Sequence, residues 1–265
     1  MRCLYREKKI YSGDYLEVEI FPVFPPGARS KKAKPTSDAQ KLLNSHNAAK
    51  KLTRLLNTNF TADDIKCELT YAPGHLPESD EQAARDLSNF LRRLKRFRAK
   101  QGLPELKYIT VTEKGERSGR YHHHVVMSGG ILPKDVARIW GKGYVMKIQP
   151  LQFTEKGIAG IAWYMAGNKR GEVVEPLFYR RWNASRNLQK PSEPPANDYR
   201  ISAKRAKNMS EEKFSREELE TLYPDYEFVD IKPIQNSFNH GYYLYLRFYK
   251  KGVKFWSKTK HRATT

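Results

Sequence analysis

Cysteine is scarce in this chain of 265 residues, which has only Cys3 and Cys67. Two thiols cannot build a disulfide framework and show no metal-ligand spacing, so a reducing compartment is expected. Long apolar runs are missing as well. The least polar stretch, "GIAGIAWYMAG" (157–167), falls far short of the roughly 20 residues a membrane-spanning helix needs. The opening "MRCLYREKKIYSGD" is charged rather than apolar, so no export signal is expected and the expected location is cytoplasmic. The third shortage is of acid: 29 Asp and Glu stand against 49 Lys and Arg, leaving +20. Such an excess, spread along the chain, implies a polyanionic partner. Nucleic acid is the commonest one, because each basic contact to phosphate releases condensed counterions. An acidic membrane surface would instead favour a basic amphipathic helix with Trp or Phe on its apolar side, and charge that serves only solubility is the plain alternative.

What is present is a series of clear periodicities. Residues 14–23, "DYLEVEIFPV", alternate as a strand and run into the basic, proline-rich loop "FPPGARSKKAKP". A helix is predicted over 37–57, a strand over 65–71, and a strongly amphipathic helix over 80–100 with Leu87, Phe90, Leu91 and Leu94 on its apolar stripe. The other side of that helix carries Arg85, Arg92, Arg93, Lys95, Arg96, Arg98 and Lys100. Two strands, 106–113 and 120–127, read as a hairpin. A short helix follows with Pro133 in its first turn and Gly141 as its stop, then a strand in "YVMKIQPLQF" and a helix over 154–168.

From 65 to 149 the order is β-α-β-β-α-β. The expected fold class is therefore α+β: a ferredoxin-like antiparallel sheet covered by helices, with N- and C-terminal extensions. Residues 1–60 read as a strand-and-helix lead-in packed on a main domain, 61–190. Residues 191–265 read as a linker with a small α/β extension containing the capped helix "SEEKFSREELETLY" and the strands "YEFVDIK" and "YYLYLRFY".

The hairpin carries three adjacent histidines. Side chains alternate on a strand, so His122 and His124 share one face while His123 points to the other. On the partner strand Ile109, Val111 and Glu113 share a face, and the simplest register sets Glu113 opposite or diagonal to His122. Two imidazoles and a carboxylate would then converge, with coordination positions left for water or a phosphate oxygen. Exposed or hydrogen-bonded structural histidines are the competing reading. Tyr164 shares a helix face with Gly157, Gly160 and Ile161, which lets a backbone come close. It is also one of sixteen tyrosines, most of them ordinary boundary residues. A phenol of pKa about 10 is a poor nucleophile at neutral pH unless a metal or cation stabilises the phenolate.

The segments "ELTYAPGHLP", "ITVTEKGERSGRYHHHVVMSGG", "IAWYMAGN" and "SRNLQKP", in this order, resemble the rolling-circle replication initiators of the His-hydrophobe-His endonuclease superfamily. The branch resembled is that of small single-stranded DNA phages, plasmids and bacterial mobile elements, and the resemblance covers residues 14–191. It implies that 61–190 is an endonuclease domain and that Leu69-Thr70-Tyr71 is its first motif. It further implies that His122 and His124 bind metal, Mg²⁺ or Mn²⁺, with Glu113 completing the site. Tyr164 would attack a phosphodiester, stay joined to the 5′ end, and release a 3′ hydroxyl that primes synthesis; the stored ester energy lets the reverse transfer close a circle. Two positions depart from the pattern: His123 stands where a bulky hydrophobe is usual, and Gly167 where a lysine is usual.

The implied partners are single-stranded origin DNA, read as a sequence or a hairpin, and a host helicase and polymerase; no membrane is implied. Arg92, Arg93, Arg96, Lys100, Arg120, Lys169, Arg170 and the loop at Lys31–Lys34 are expected to contact phosphate. The alternatives are a transposase or relaxase-like nickase of the same superfamily and a non-catalytic nucleic-acid-binding module of ferredoxin-like fold, which would expose stacking aromatics on its sheet. A two-histidine, one-carboxylate iron oxygenase would leave the +20 charge and Tyr164 without a role.

Overall fold

The computed structural model of the protein describes residues 4–24, 37–115, 118–169, 172–173, 177, 181–236 and 240–255. In chain order its elements are β1 (Leu4–Ser12), β2 (Tyr15–Val23), α1 (Ser37–Asn59), β3 (Ile65–Thr70), α2 (Asp80–Lys100), β4 (Tyr108–Lys114), β5 (Tyr121–Met127), α3 (Pro133–Trp140), β6 (Val145–Pro150), α4 (Ala159–Met165), β7 (Asn168–Lys169), β8 (Glu172–Val173), β9 (Asn183–Ala184), β10 (Asn197–Ile201), α5 (Ala203–Ser210), α6 (Arg216–Leu222), β11 (Tyr226–Gln235) and β12 (Tyr242–Lys250). Among the described residues no helix is long and apolar enough to cross a membrane.

The chain forms two compact units. One, residues 41–152 and 158–189, holds the five-stranded antiparallel sheet β6-β3-β5-β4-β9. Its first four strands with α2 and α3 are the α+β arrangement expected from the sequence. The reason is visible in the helices. Ser79 accepts the Gln82 N–H and caps α2, Asp80 and Glu81 occupy its first turn, and Arg98 and Lys100 its last, all favourable to the helix dipole. Its stripe of Ala83, Leu87, Phe90, Leu91 and Leu94 is buried in one core with Cys67, Leu69, Val125 and Met127 of the sheet. Each large side chain so buried contributes about 1.5–3 kcal/mol. The short helix α3 starts at Pro133 and stops at Gly141, whose φ of 61° lies in the left-handed region. It delivers Trp140, fully buried, whose indole N–H donates to the Thr70 carbonyl at 2.8 Å.

One basic residue of α2 is not on the solvent side as its sequence position suggested. Arg98 is buried and donates to the carbonyls of Pro104, Ser128 and Gly129, fastening the end of α2 to the ends of two loops. Burial pulls its pKa down and Asp64 partly offsets that. Gly129 is required where the chain leaves β5, because a Cβ there would lie 1.9 Å from the Asp63 carbonyl oxygen.

The other unit, comprising the described parts of 1–40 together with 153–157 and 190–265, holds the antiparallel sheet β10-β1-β2-β12-β11. Leu16, Val18, Ile20, Leu244, Leu246 and Phe248 form its core with residues of α5 and α6. This corrects the sequence-based boundaries: the first hairpin is not a lead-in on the main domain, since β2 pairs along β12 and β1 along β10. Residues 197–201 of the expected linker are likewise a strand. The expected helix from 210 is two helices, with a capping box of Ser215 and Glu218 opening the second. Strand β1 was hidden by the charges of Arg6, Glu7, Lys8 and Lys9. Glu7 is buried, accepting the Tyr223 hydroxyl at 2.5 Å with Arg200 3.6 Å away.

Candidate active site

Strand β5 pairs with β4 so that Glu113 lies opposite His122 and Val111 opposite His124. On its other edge Thr70 and Glu68 of β3 lie opposite His122 and His124. Alternation then divides three consecutive histidines between two environments. His123 faces the α2–α3 core with no exposure, one ring nitrogen 2.9 Å from the Tyr71 hydroxyl and the other 2.8 Å from the Thr112 hydroxyl. Its ring lies edge-on to Trp140. Burial, reinforced by the neighbouring His122 and His124, pushes its pKa down to about 3, so it is a neutral imidazole with one donor and one acceptor, both used. It is a hydrogen-bonded core residue where a hydrophobe would leave two hydroxyls stranded.

His122 and His124 point to the opposite face. The Nε2 atoms of both lie 3.3 Å from Oε2 of Glu113, the rings are 5.0 Å apart and nearly perpendicular, and one donor atom from each residue falls within 4.8 Å of the others. All three are half-buried. Two imidazole nitrogens and a carboxylate oxygen at this spacing suit adjacent positions on one divalent ion with bonds of about 2.0–2.3 Å.

Helix α4 brings the phenol. Tyr164 Oη lies 3.4 Å from His124 Nε2, its ring is perpendicular to that imidazole, and 41% of the residue is exposed. The helix is shorter than the sequence suggested, because 154–157 form a tight turn in which Gly157 has a φ of 68°. Gly160, with open space where a Cβ would stand, Ile161 and Tyr164 line a cleft of about 430 Å³ together with His124 and Glu68. Two residues that the sequence did not single out fix this short helix. Asn57 of α1 accepts the Ile158 N–H at 3.0 Å, and Arg181 donates to the Ala166 carbonyl at 2.9 Å. Gly167 ends the helix with a φ of 81°, its N–H bonded to the Tyr164 carbonyl. A lysine there would carry the strain of the left-handed region.

The cleft holds a charge pair that the sequence reading missed. Lys147 Nζ lies 2.9 Å from Glu68 Oε2. Although partial burial pushes the Glu68 carboxyl up, the Lys147 ammonium and the His124 and His122 imidazoles hold it below its ordinary value. Lys147 has a φ of 55°, a conformation costing a non-glycine residue about 1 kcal/mol.

The expected phosphate contacts do not all gather here. Arg92, Arg93, Arg96 and Lys100 are exposed on α2, which packs on the His123 side of the sheet, so their charges lie across the sheet from Glu113, His122 and His124. Arg120 is exposed beside the ligand-bearing end of β5. The side chain of Lys169, Arg170 and the loop at Lys31–Lys34 lie outside the described residues.

The model of a replication-associated protein family, the ORF2 type, matches residues 65–169. That segment belongs to this family. The replication-associated segment runs from β3 through Tyr164 and thus contains every residue of the cluster, together with three of the four motifs that carry the resemblance to rolling-circle initiators. The fourth, "SRNLQKP", lies beyond it. No curated protein and no solved structure matches the chain.

Proposed function

We propose that the protein is a metal-dependent endonuclease and strand transferase that nicks single-stranded origin DNA to start rolling-circle replication. The observation that carries this reading is the convergence of Glu113, His122, His124 and the Tyr164 phenol at one end of a replication-associated fold. Glu113, His122 and His124 would hold Mg²⁺ or Mn²⁺, and the bound ion would polarise a phosphate oxygen and make phosphorus more electrophilic. The protein's own groups do the rest. Glycines along α4 keep the approach narrow enough for a nucleic-acid backbone. Tyr164 Oη attacks phosphorus: the Oη–P bond forms, the P–O3′ bond breaks, the phenol proton passes to solvent and the 3′ oxygen takes up a proton. The 5′ end stays on Tyr164, and attack of a 3′ hydroxyl on that ester reverses the step. Direct exposure of Tyr164 permits both exchanges.

The test is covalent capture. Purified protein with Mn²⁺ and labelled single-stranded DNA from its own replicon should give an adduct that survives denaturant, and Tyr164→Phe should give none. Equal adduct from Tyr164→Phe would remove Tyr164 from the mechanism.

A further inference from the structure

Strand β6 carries an irregularity beside the cleft. Along β3, Glu68 pairs with Met146 and Lys66 with Gln149, so two residues, Lys147 and Ile148, stand opposite the single residue Cys67. This is a β-bulge, a device that re-aims side chains and is common next to functional sites. In a regular ladder Lys147 would be the partner of Cys67 and would point into the core beneath α2. The extra residue lets Ile148 take that inward place, where it packs against the core, and turns Lys147 to the face of Glu68 and His124. The cost is a lysine in the left-handed region, where glycine would sit without strain. A strained, charged residue that the local fold turns into a cleft has a functional explanation more readily than a structural one.

We propose that Lys147 is the phosphate-binding cation of the cleft, held by Glu68 when DNA is absent and transferred to a non-bridging oxygen of the bound phosphodiester beside Tyr164. The inference rests on the nickase reading for its substrate. Lys147 forms no covalent bond and moves no proton; it neutralises charge that builds up as the phenol attacks. Three observations support the assignment. Lys147, Tyr164 and His124 line the same cleft. The Lys147 side chain is 66% exposed even while paired, so exchanging one anionic partner for another requires no unburial. Gly167 provides no cation at the end of α4. The electrostatic influence of Tyr164 on Lys147 agrees with this placement.

The test uses the full chain carrying Tyr164→Phe, so that no strand is cut, and a short fluorescein-labelled oligothymidylate as probe. Lys147→Gly should bind about fivefold more weakly at about 0.1 M salt, with a log–log salt slope smaller by about 0.7, the signature of one lost contact to single-stranded phosphate. It should melt at or above the parent, because glycine accepts the bulge conformation. Lys147→Arg should bind as the parent does. Unchanged binding by Lys147→Gly overturns the proposal, as does an equal loss in Lys134→Ala, an exposed lysine on α3. Melting of Lys147→Gly well below the parent would make the lysine a structural residue and overturn it too. Because nothing is cut in this comparison, it remains readable if the unsubstituted chain forms no adduct. Conversely, unchanged binding would leave the chemistry of Tyr164 standing.

Discussion

The two faces of strand β5 hold the same residue type in opposite states. His123, on the α2–α3 face, is sealed between Tyr71, Thr112 and Trp140 and cannot carry charge near neutral pH. His122 and His124, one residue to either side, are half-buried around a carboxylate and within reach of a phenol. Chemistry therefore follows environment rather than residue type: two hydroxyls and burial make an imidazole a piece of core, while a carboxylate and an open cleft make it a ligand.

That contrast can be broken most forcefully on the open face. His122→Ala or His124→Ala should slow adduct formation about a thousandfold, the several kcal/mol that a Lewis acid supplies, while the melting temperature moves by less than about 3 °C. Rates within about threefold of wild type would deny both histidines a catalytic role. On the sealed face the order reverses. His123→Ala should cost about 3 kcal/mol of stability, from a cavity and two unpaired hydroxyls, measured by denaturant unfolding, with any residual folded protein still forming adduct. His123→Phe restores volume but not the hydrogen bonds, so its expected cost is about 1–2 kcal/mol; no cost at all would mean that the Tyr71 and Thr112 hydroxyls find other partners. The smallest effect lies on the outer side of α2. Arg92→Gln with Arg96→Gln should reduce the salt slope for long duplex-flanked DNA by about 0.9 per lost contact, and an unchanged slope would leave that face outside the DNA path.

Much of this was legible in the sequence because it depends on local rules. Period-two alternation separated His123 from its neighbours, and the capped, periodic 80–100 segment became α2 within the same bounds. The Glu113–His122 pairing followed from the short hairpin. What escaped depends on distant or irregular structure. The outer hairpin β1–β2 pairs with strands some 200 residues later, and Glu7 hides among charges until Tyr223 arrives to receive it. Lys147 was invisible because a bulge leaves no mark in "VMKIQP", where Met146, Lys147 and Ile148 fit a regular ladder equally well. The basic stripe of α2 was easy to read, but which side of the sheet it would occupy depended on which histidine faced the core.

The sealing of His123 also bears on how accurately the strand assembles. If β5 slipped by one residue against β3 and β4, every side chain would change faces. His122 and His124 would enter the core without the hydroxyl partners that His123 has, and His123 would face the cleft in their place. A misregistered chain would thus bury two unsatisfied imidazoles, so the pair of hydroxyls at Tyr71 and Thr112 acts as a proofreading device that admits one pairing of the strand and rejects its neighbours.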